Sequence, residues 1–349
     1  MEALAGSALL GGLLCLVALW GWVGGGDHSK LTHFFINVVI VLSLQVFSGN
    51  SGILSFGQMA FVGTGAYVAG ILTFDPSLRH LYLTSLPHFM QTYTASFGVA
   101  VLCAAAAGGL LALVSGIPIV RLDGASAVIA ILALLLIADV VFGAWTGVTR
   151  GGAGLFGLPP LVSMNRAFLF AVGAVVVARL FKDSKTGLLL QASREDAFSA
   201  ASVGVAVRRY RLRAWLLSGT MAGAAGALFA WWIGTISPTN FFLGPTFALI
   251  VMFIVGGTRT VGGAVVGAGL VTLVQEGVRQ YEDNSVDLRA FTIHRLTGLT
   301  QFALVLMILA VMYVRREGIV SRRELDESLR ALAVRGRAGR DGLSRRARI

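Results

Sequence analysis

One feature constrains this chain above all others. Mostly apolar stretches recur along it at about the 20-residue length a helix needs to cross a hydrocarbon core. Ten are read, at 3–23, 31–48, 56–74, 94–114, 125–143, 166–181, 213–235, 243–257, 260–277 and 296–314. The expected fold class is all-α: a polytopic membrane protein with about ten transmembrane helices. Residues 1–314 form its membrane domain, interrupted by a polar loop at 182–213, and 315–349 form a basic tail. The stretch at 243–257 is short, and with 260–277 it also reads as a re-entrant pair. The first run, Ala3–Val23, has no Lys or Arg ahead of it and is too long for a signal-peptide core, so it reads as a first span.

The composition agrees. Hydrophobic residues are 56% of the chain and charged residues 13%, where a soluble domain carries about 25% charged residues. The 44 glycines lie within apolar stretches, as is common in membrane helices. The net charge of +11 is mostly arginine, since the lysines are Lys30, Lys182 and Lys185. Its placement at the ends of spans points to membrane topology, with no nucleic-acid partner. Cys15 and Cys103 each sit in an apolar run and read as packing residues, with no disulfide or metal framework.

Arginine and lysine set the expected orientation. The tail, from Arg315 and Arg316 to Arg348, belongs in the cytoplasm, and the loop at 182–213 shares that side because four spans lie between them. Counting back puts the N-terminus in the cytoplasm too. The opposite loops are 24–30, 75–93, 144–165, 236–242 and 278–295, and His28, His33, His80, His88 and His294 lie in or beside them. With no metal-ligand spacing, these read as solvated or interfacial histidines.

Gly49–Gln58 places Gly49, Gly52 and Gly57 with Asn50, Ser51 and Ser55 between two apolar spans. It reads either as a tight cytoplasmic turn or as a broken helix, a feature that often marks a transport path. Asp139 lies toward the outer end of its span, where it either reaches water or lines a pathway. Arg179 is near a span end and is expected to snorkel. Gly219, Gly223, Gly226 and Ala230, and the pair Gly263 and Gly267, have the spacing that lets helices pack closely in lipid.

The polar loop has a pattern of its own. Ser193 and Asp196 have capping-box-like spacing. Glu195 and Asp196 then fall in a first turn that favours negative charge. Ala197, Ala200, Ala201 and Gly204 share one small-residue face, suited to docking against a partner or against the membrane domain, or else to lying at the interface. Arg208, Arg209, Arg211 and Arg213 follow as a head-group collar.

Catalytic motifs are missing. Gly152, Gly154 and Gly157 match GxGxxG, but no strand precedes them, and Pro159 and Pro160 stand where a helix would begin. No lysine follows a glycine, so there is no P-loop. HExxH and GxSxG are absent, so the chain reads as a non-enzyme with no cofactor of its own.

Several stretches carry a resemblance: GNSGILSFGQMAFVGTGAYVAGIL (49–72), VRLDGASAVIAILALLLIADVVF (120–142), GGAGLFGLPPL (151–161), SREDAFSAASVGVAVRRYRLRAWLLSGTMAGAAGALFA (193–230), ISPTNFF (236–242) and VGGTRTVGGAVVGA (255–268). Over most of 31–320 the chain resembles the inner-membrane permeases of bacterial ABC importers for branched-chain amino acids, the LivM-like type. The resemblance implies a multi-pass subunit of the bacterial cytoplasmic membrane. It implies pairing with a second permease chain, identical or homologous. Two cytoplasmic ATPase subunits, which bind ATP and Mg, would dock on a coupling helix formed by Ser193, Arg194, Glu195, Asp196, Ala197, Ala200, Ala201 and Gly204. A periplasmic or lipid-anchored binding protein would deliver the solute. Gln45, Asn50, Ser51, Ser55, Gln58 and Asp139 are the expected translocation-path residues. The family commonly has His where Gln58 stands and Asn where Gln45 stands, and 75–93 and 321–349 fall outside the resemblance. The alternatives are the same importer class for urea, amides or another small solute, and an ion-coupled secondary transporter with Asp139 as its ion site.

Overall fold

The computed structural model describes residues 27–77, 79, 94–283, 286–288, 291–293, 298–315 and 318–320, with Gly12, Leu14, Cys15, Val17 and Ala18. The expected span at 3–23, most of the outer loop 75–93, nearly all of the tail, and His80, His88 and His294 lie outside them. The protein is all-α. Its helices are α1 (His28–Leu44), α2 (Gln58–Thr73), α3 (Phe97–Ile119), α4 (Gly124–Ala144), α5 (Met164–Asp183), α6 (Lys185–Glu195), α7 (Ala197–Ser202), α8 (Val207–Ile233), α9 (Leu243–Gly256), α10 (Val261–Asp283) and α11 (Leu299–Val314). Among the described residues, seven helices are long and apolar enough to cross a membrane, counting the turns that extend α1 and α9. Two more, α2 and α11, are apolar but shorter. Of the ten expected spans, seven are thus matched by helices of spanning length among the described residues, and those at 56–74 and 296–314 by shorter apolar helices.

Contacts between helix ends sort the loops onto two faces. On one, Arg194 reaches Gly49, Arg211 reaches Asp123, and Lys182 and Glu195 reach Arg259. On the other, β1 (Leu155–Phe156) pairs antiparallel with β2 (Thr235–Ile236), and Lys30 meets Glu276. Helix α9 starts near β2 and ends beside Arg259, and α10 returns to Glu276. Both therefore cross, and the re-entrant alternative is not adopted. After α11 the chain returns to the Arg194 face, where Ile319 and Val320 donate to the Val255 and Gly256 carbonyls. These two donors satisfy carbonyls at the end of α9 that have no partner within the helix.

Helix α1 is the most buried of the long helices, and its second half, Val38–Leu44, is apolar but for Ser43 and wholly buried. Helix α8 is the other central element, packed between α2 and α3. Its small residues permit this, as their spacing implies. A Cβ on Gly223 would lie 2.3 Å from the Ala104 carbonyl oxygen, and one on Gly226 would lie 2.0 Å from that of Val62. Gly267 meets the α9 backbone at Met252 in the same way, at 2.0 Å. Polar ends of buried aromatics are paired across these seams: Trp215 Nε1 donates to Ser115 Oγ at 3.2 Å and Trp231 Nε1 to Thr73 Oγ1 at 2.9 Å. Helices α3 and α4 bury only about a third of their apolar length and present the rest outward. The two cysteines correct an expectation. Both are free and exposed on outward faces, so they do not pack the interior.

Two arginines depart from the reading of their sequence. Arg179 is buried and donates to Asp183 at 3.2 Å, so it does not snorkel. Arg211 is also buried. It turns away from the head-group collar to Asp123 and to the Leu122 carbonyl at 3.3 Å. In each case an exposed carboxylate at a helix end gives the buried guanidinium a partner of opposite charge, which bulk lipid lacks.

Overpacking a close helix seam costs about 1–3 kcal/mol. Gly223→Val is therefore expected to lower the unfolding midpoint of the detergent-solubilised protein by several degrees. Gly173→Ala, where a Cβ meets nothing within 4 Å, leaves it unchanged; thermal unfolding monitored by intrinsic fluorescence reads both.

Candidate functional site

The face opposite Arg194 opens into a cavity of about 940 Å³. Its mouth is built from helix ends: Asp27 and Lys30 beside the start of α1, Trp232 and Ile233 at the end of α8, Glu276 and Arg279 on α10, and Thr300 on α11. Its deep wall is apolar: Ile40, Met59, Leu249 and Met252. From Ser29 to Ile40 the lining follows α1 for roughly 17 Å. The mouth carries two acids and two bases, and Lys30 Nζ lies 3.7 Å from both Asp27 Oδ2 and Glu276 Oε1. One wall is an aromatic and polar ladder. Trp232 donates to the Ser29 carbonyl at 3.1 Å and stacks on His33 at 4.2 Å, and Asn37 bridges His33 to Thr272. His33 is thus a structural wall residue, held by a ring stack as well as facing the cavity. A space that is charge-balanced at its mouth and apolar at depth suits a small neutral zwitterion with an apolar side chain.

Below the cavity, α1 does not end cleanly. It widens into a π turn at Gln45–Gly49 and closes at Ser51, and the chain then runs without regular helix to Gln58. Gln45, Asn50, Ser51, Ser55 and Gln58 are all buried here. Most of these polar groups satisfy backbone. Asn50 Nδ2 donates to the Val46 carbonyl at 2.9 Å, Ser48 Oγ accepts from Ser55 N at 3.1 Å, and Ser51 Oγ accepts from Ile53 N at 3.3 Å. Gln58 opens α2 with its carboxamide in a buried knot. Its Nε2 donates to Ser43 Oγ at 2.8 Å and Ser218 Oγ at 3.1 Å, while Ser218 Oγ donates to the Ser43 carbonyl at 2.7 Å. Two atoms of the break, Gln45 Oε1 and Ser55 Oγ, are buried with no hydrogen-bond partner among the described residues. Each such group costs about 1–3 kcal/mol. None of the expected path residues lines the cavity itself; Met59, next to Gln58, does. Asp139 is half-buried on α4, away from the cavity lining.

The polar loop forms two helices. Helix α6 is capped by Ser184, whose Oγ accepts from Gly187 N at 3.2 Å. Helix α7 is capped by Asp196, which accepts from Phe198 N at 2.9 Å and Ser199 N at 3.1 Å. The expected cap was Ser193. It lies instead in the last turn of α6, with its hydroxyl donating to the Leu190 carbonyl at 2.7 Å. A carboxylate is the better acceptor for two amides at once, so the helix restarts at Asp196. The Ser199 hydroxyl, then the Ser199 and Phe198 amides, hold the Asp196 carboxyl below the usual range. The stabilising cap is therefore complete at neutral pH and is lost only as pH falls through that depressed value. Glu195 pairs with Arg259 at 3.1 Å. Of the small-residue face, Ala200 is buried and Ala197 half-buried, while Ala201 and Gly204 are exposed. The most exposed large apolar groups of the loop are Phe198, at 85%, and Val203, at 79%. Arg194 points inward to the Gly49 carbonyl at 2.8 Å.

Residues 29–312 match the family model described as "Branched-chain amino acid transport system / permease component". The chain belongs to that family. Among curated relatives of this permease family member, the high-affinity branched-chain amino acid transport system permease protein LivM of Escherichia coli is 29% identical over 309 residues, covering 78% of this chain and 69% of the relative. The protein of the same name from Salmonella typhimurium is 28% identical over the same shares. A probable branched-chain amino acid transport permease protein LivH of Methanocaldococcus jannaschii is 28% identical over 127 residues, 36% of this chain and 39% of the relative. No solved structure matches the chain. The family places the protein among multi-pass transport subunits rather than enzymes.

Sequence reasoning located the break and the loop of this permease but missed the cavity. The available signal was charge at helix ends: Asp27 with Lys30 and Glu276 with Arg279, each three residues apart and so on one helix face. It also missed Phe198, which interrupts the small-residue pattern and stands out into solvent.

Ser218→Ala removes the donor to the Ser43 carbonyl and a partner of Gln58, at a cost of about 1–2 kcal/mol. The expected result is a lower unfolding midpoint with unchanged membrane insertion, and Gln58→Leu in the same background adds less than its separate effect because the two share one network.

Proposed function

We propose that this chain is the membrane-spanning subunit of an ATP-driven importer for branched-chain and other hydrophobic amino acids. The observation that carries this reading is the cavity, balanced in charge at its mouth and apolar below. A free amino acid has one positive and one negative group and needs both signs; its aliphatic side chain needs the wall of Ile40, Met59, Leu249 and Met252. Urea and simple amides use neither charge, and an ion-coupled carrier built on Asp139 would want that carboxylate in the cavity. The Arg-rich face is then cytoplasmic, with both termini, and the cavity opens to the side where a periplasmic or lipid-anchored binding protein delivers solute.

Energy comes from elsewhere. The sequence has no P-loop, so ATP and Mg are held by two cytoplasmic ATPase subunits. These dock on the loop around α7, where Phe198 and Val203 project as apolar knobs beside the small-residue face formed with Ala201 and Gly204. A second permease chain, identical or homologous, completes the pathway. Relatives under two names, LivM and LivH, are consistent with a pair of different chains.

Co-expression with cognate ATPase and binding proteins is expected to give ATP-dependent leucine uptake into right-side-out vesicles loaded with ATP. Uptake that persists without the ATPase and collapses with an ionophore would favour the ion-coupled alternative. Lys30→Gln or Glu276→Gln is expected to raise the half-saturating leucine concentration roughly tenfold, the effect of losing one charge-assisted contact of about 1.4 kcal/mol. Phe198→Ala is expected to weaken ATPase association by about tenfold or more, read by co-purification and by surface-immobilised binding. Unaltered association would move the docking surface off α7.

A further inference from the structure

Arg194 belongs to the loop, but its side chain is committed to the helix break. Nη1 donates to the Gly49 carbonyl at 2.8 Å, across 145 residues of chain. Its stem fills the space over Gly52, where a Cβ would come within 2.7 Å of Arg194 Cγ. Gly52 has φ +76°, a left-handed conformation that glycine alone adopts without strain. Gly49 is equally confined, because the Gln45 carboxamide occupies the place of its missing Cβ. The Gly49 carbonyl is the negative end of α1 and its π turn, and a guanidinium there both caps it and complements the helix dipole.

The other end of the break is the start of α2. Gln58 is tied to Ser43 and Ser218, and the next residue, Met59, forms part of the deep cavity wall. One short non-helical segment therefore joins the loop to the cavity floor. It also holds two buried polar atoms, Gln45 Oε1 and Ser55 Oγ, that lack partners among the described residues. Each unpaired atom is destabilising, so the break is held at a cost that a rearrangement pairing them would relieve. Coupling between distant sites needs such an element with two arrangements.

We propose that Arg194 is the positioning residue through which movement of α6 and α7 is passed to the break, and so to Met59 at the cavity floor. This rests on the ATP-driven reading above. Arg194 then differs from its neighbour Glu195, whose bond to Arg259 ties the loop to the α9–α10 turn, and from Phe198, which faces outward. The loop has one side chain for the ATPase and another for the pathway.

The test uses the complete complex in lipid nanodiscs. Cys15→Ala and Cys103→Ala remove the native thiols and Met59→Cys reports on the floor. The rate of modification by a membrane-impermeant maleimide is measured with and without a non-hydrolysable ATP analogue. With Arg194 present, nucleotide is expected to change that rate by about fivefold or more, the lower range of ordinary coupling between sites. In Arg194→Ala the change is expected to vanish while the ATPase subunits still co-purify and the unfolding midpoint falls no further than in Ser218→Ala, whose nucleotide response is kept. Arg194→Lys, which keeps a cation but not the planar fork, is expected to restore part of it. An undiminished nucleotide response in Arg194→Ala overturns the proposal. So does loss of the ATPase subunits in that variant, which would make Arg194 a docking contact. If the Arg194 parent binds no ATPase at all, the importer reading itself falls, and that is seen before any Arg194 variant is made.

Discussion

A backbone amide or carbonyl inside a bilayer has no water to bond to, and this constraint governs every irregular stretch of the protein. The chain leaves regular α-helical geometry at 45–57, beneath a large cavity, and almost every group freed there is met from within. Asn50 and Ser48 take backbone groups of their own segment. Arg194 comes from a distant loop to cover the Gly49 carbonyl. The same rule shapes the end of α9, where Ile319 and Val320 supply two donors. Breaks in membrane helices persist where other parts of the protein supply the missing hydrogen bonds. That requirement ties the polar loop, the break and the cavity into one unit.

Close approach of backbones is the second condition. Helix α8 lies deep between α2 and α3 because Gly223 and Gly226 have no side chain to hold the helices apart. Lipid tails are as apolar as leucine, so contact area and packing must supply what the hydrophobic effect supplies in water. This explains why α1 is interior while α3 and α4, more strongly apolar, face outward. All three are apolar enough to span; what differs is whether the surface is shaped to receive a neighbour.

Charge is distributed in two different ways on the two faces. On the loop face, arginines are either exposed or committed to carboxylates and carbonyls, as with Arg179, Arg211 and Arg194. On the opposite face, Asp27, Lys30, Glu276 and Arg279 gather around one opening with no net sign. A mouth of this kind does not concentrate ions of either charge, and it leaves both poles for a dipolar solute. Phe198 and Val203 are the counterpart on the loop, two strongly exposed apolar groups that the membrane domain does not cover.

By itself the sequence determined the features that local physics dictates. Long apolar runs must cross the membrane, arginine-rich loops share a side, glycines at helical spacing form seams, and a chain without a P-loop cannot hold ATP in that way. Those arguments located the loop at 182–213 and the interruption at Gly49–Gln58. Only the tertiary structure decided the features that depend on residues far apart in the chain. It turned Arg194 and Arg211 inward, because Gly49 and Asp123 offered partners that no local pattern announces. It made Asp196 the cap in place of Ser193, a choice between two good acceptors that rests on where α6 ends. And it assembled the cavity from the ends of α1, α8, α9, α10 and α11, whose charged pairs look in sequence like ordinary solvated helix ends until folding sets them face to face.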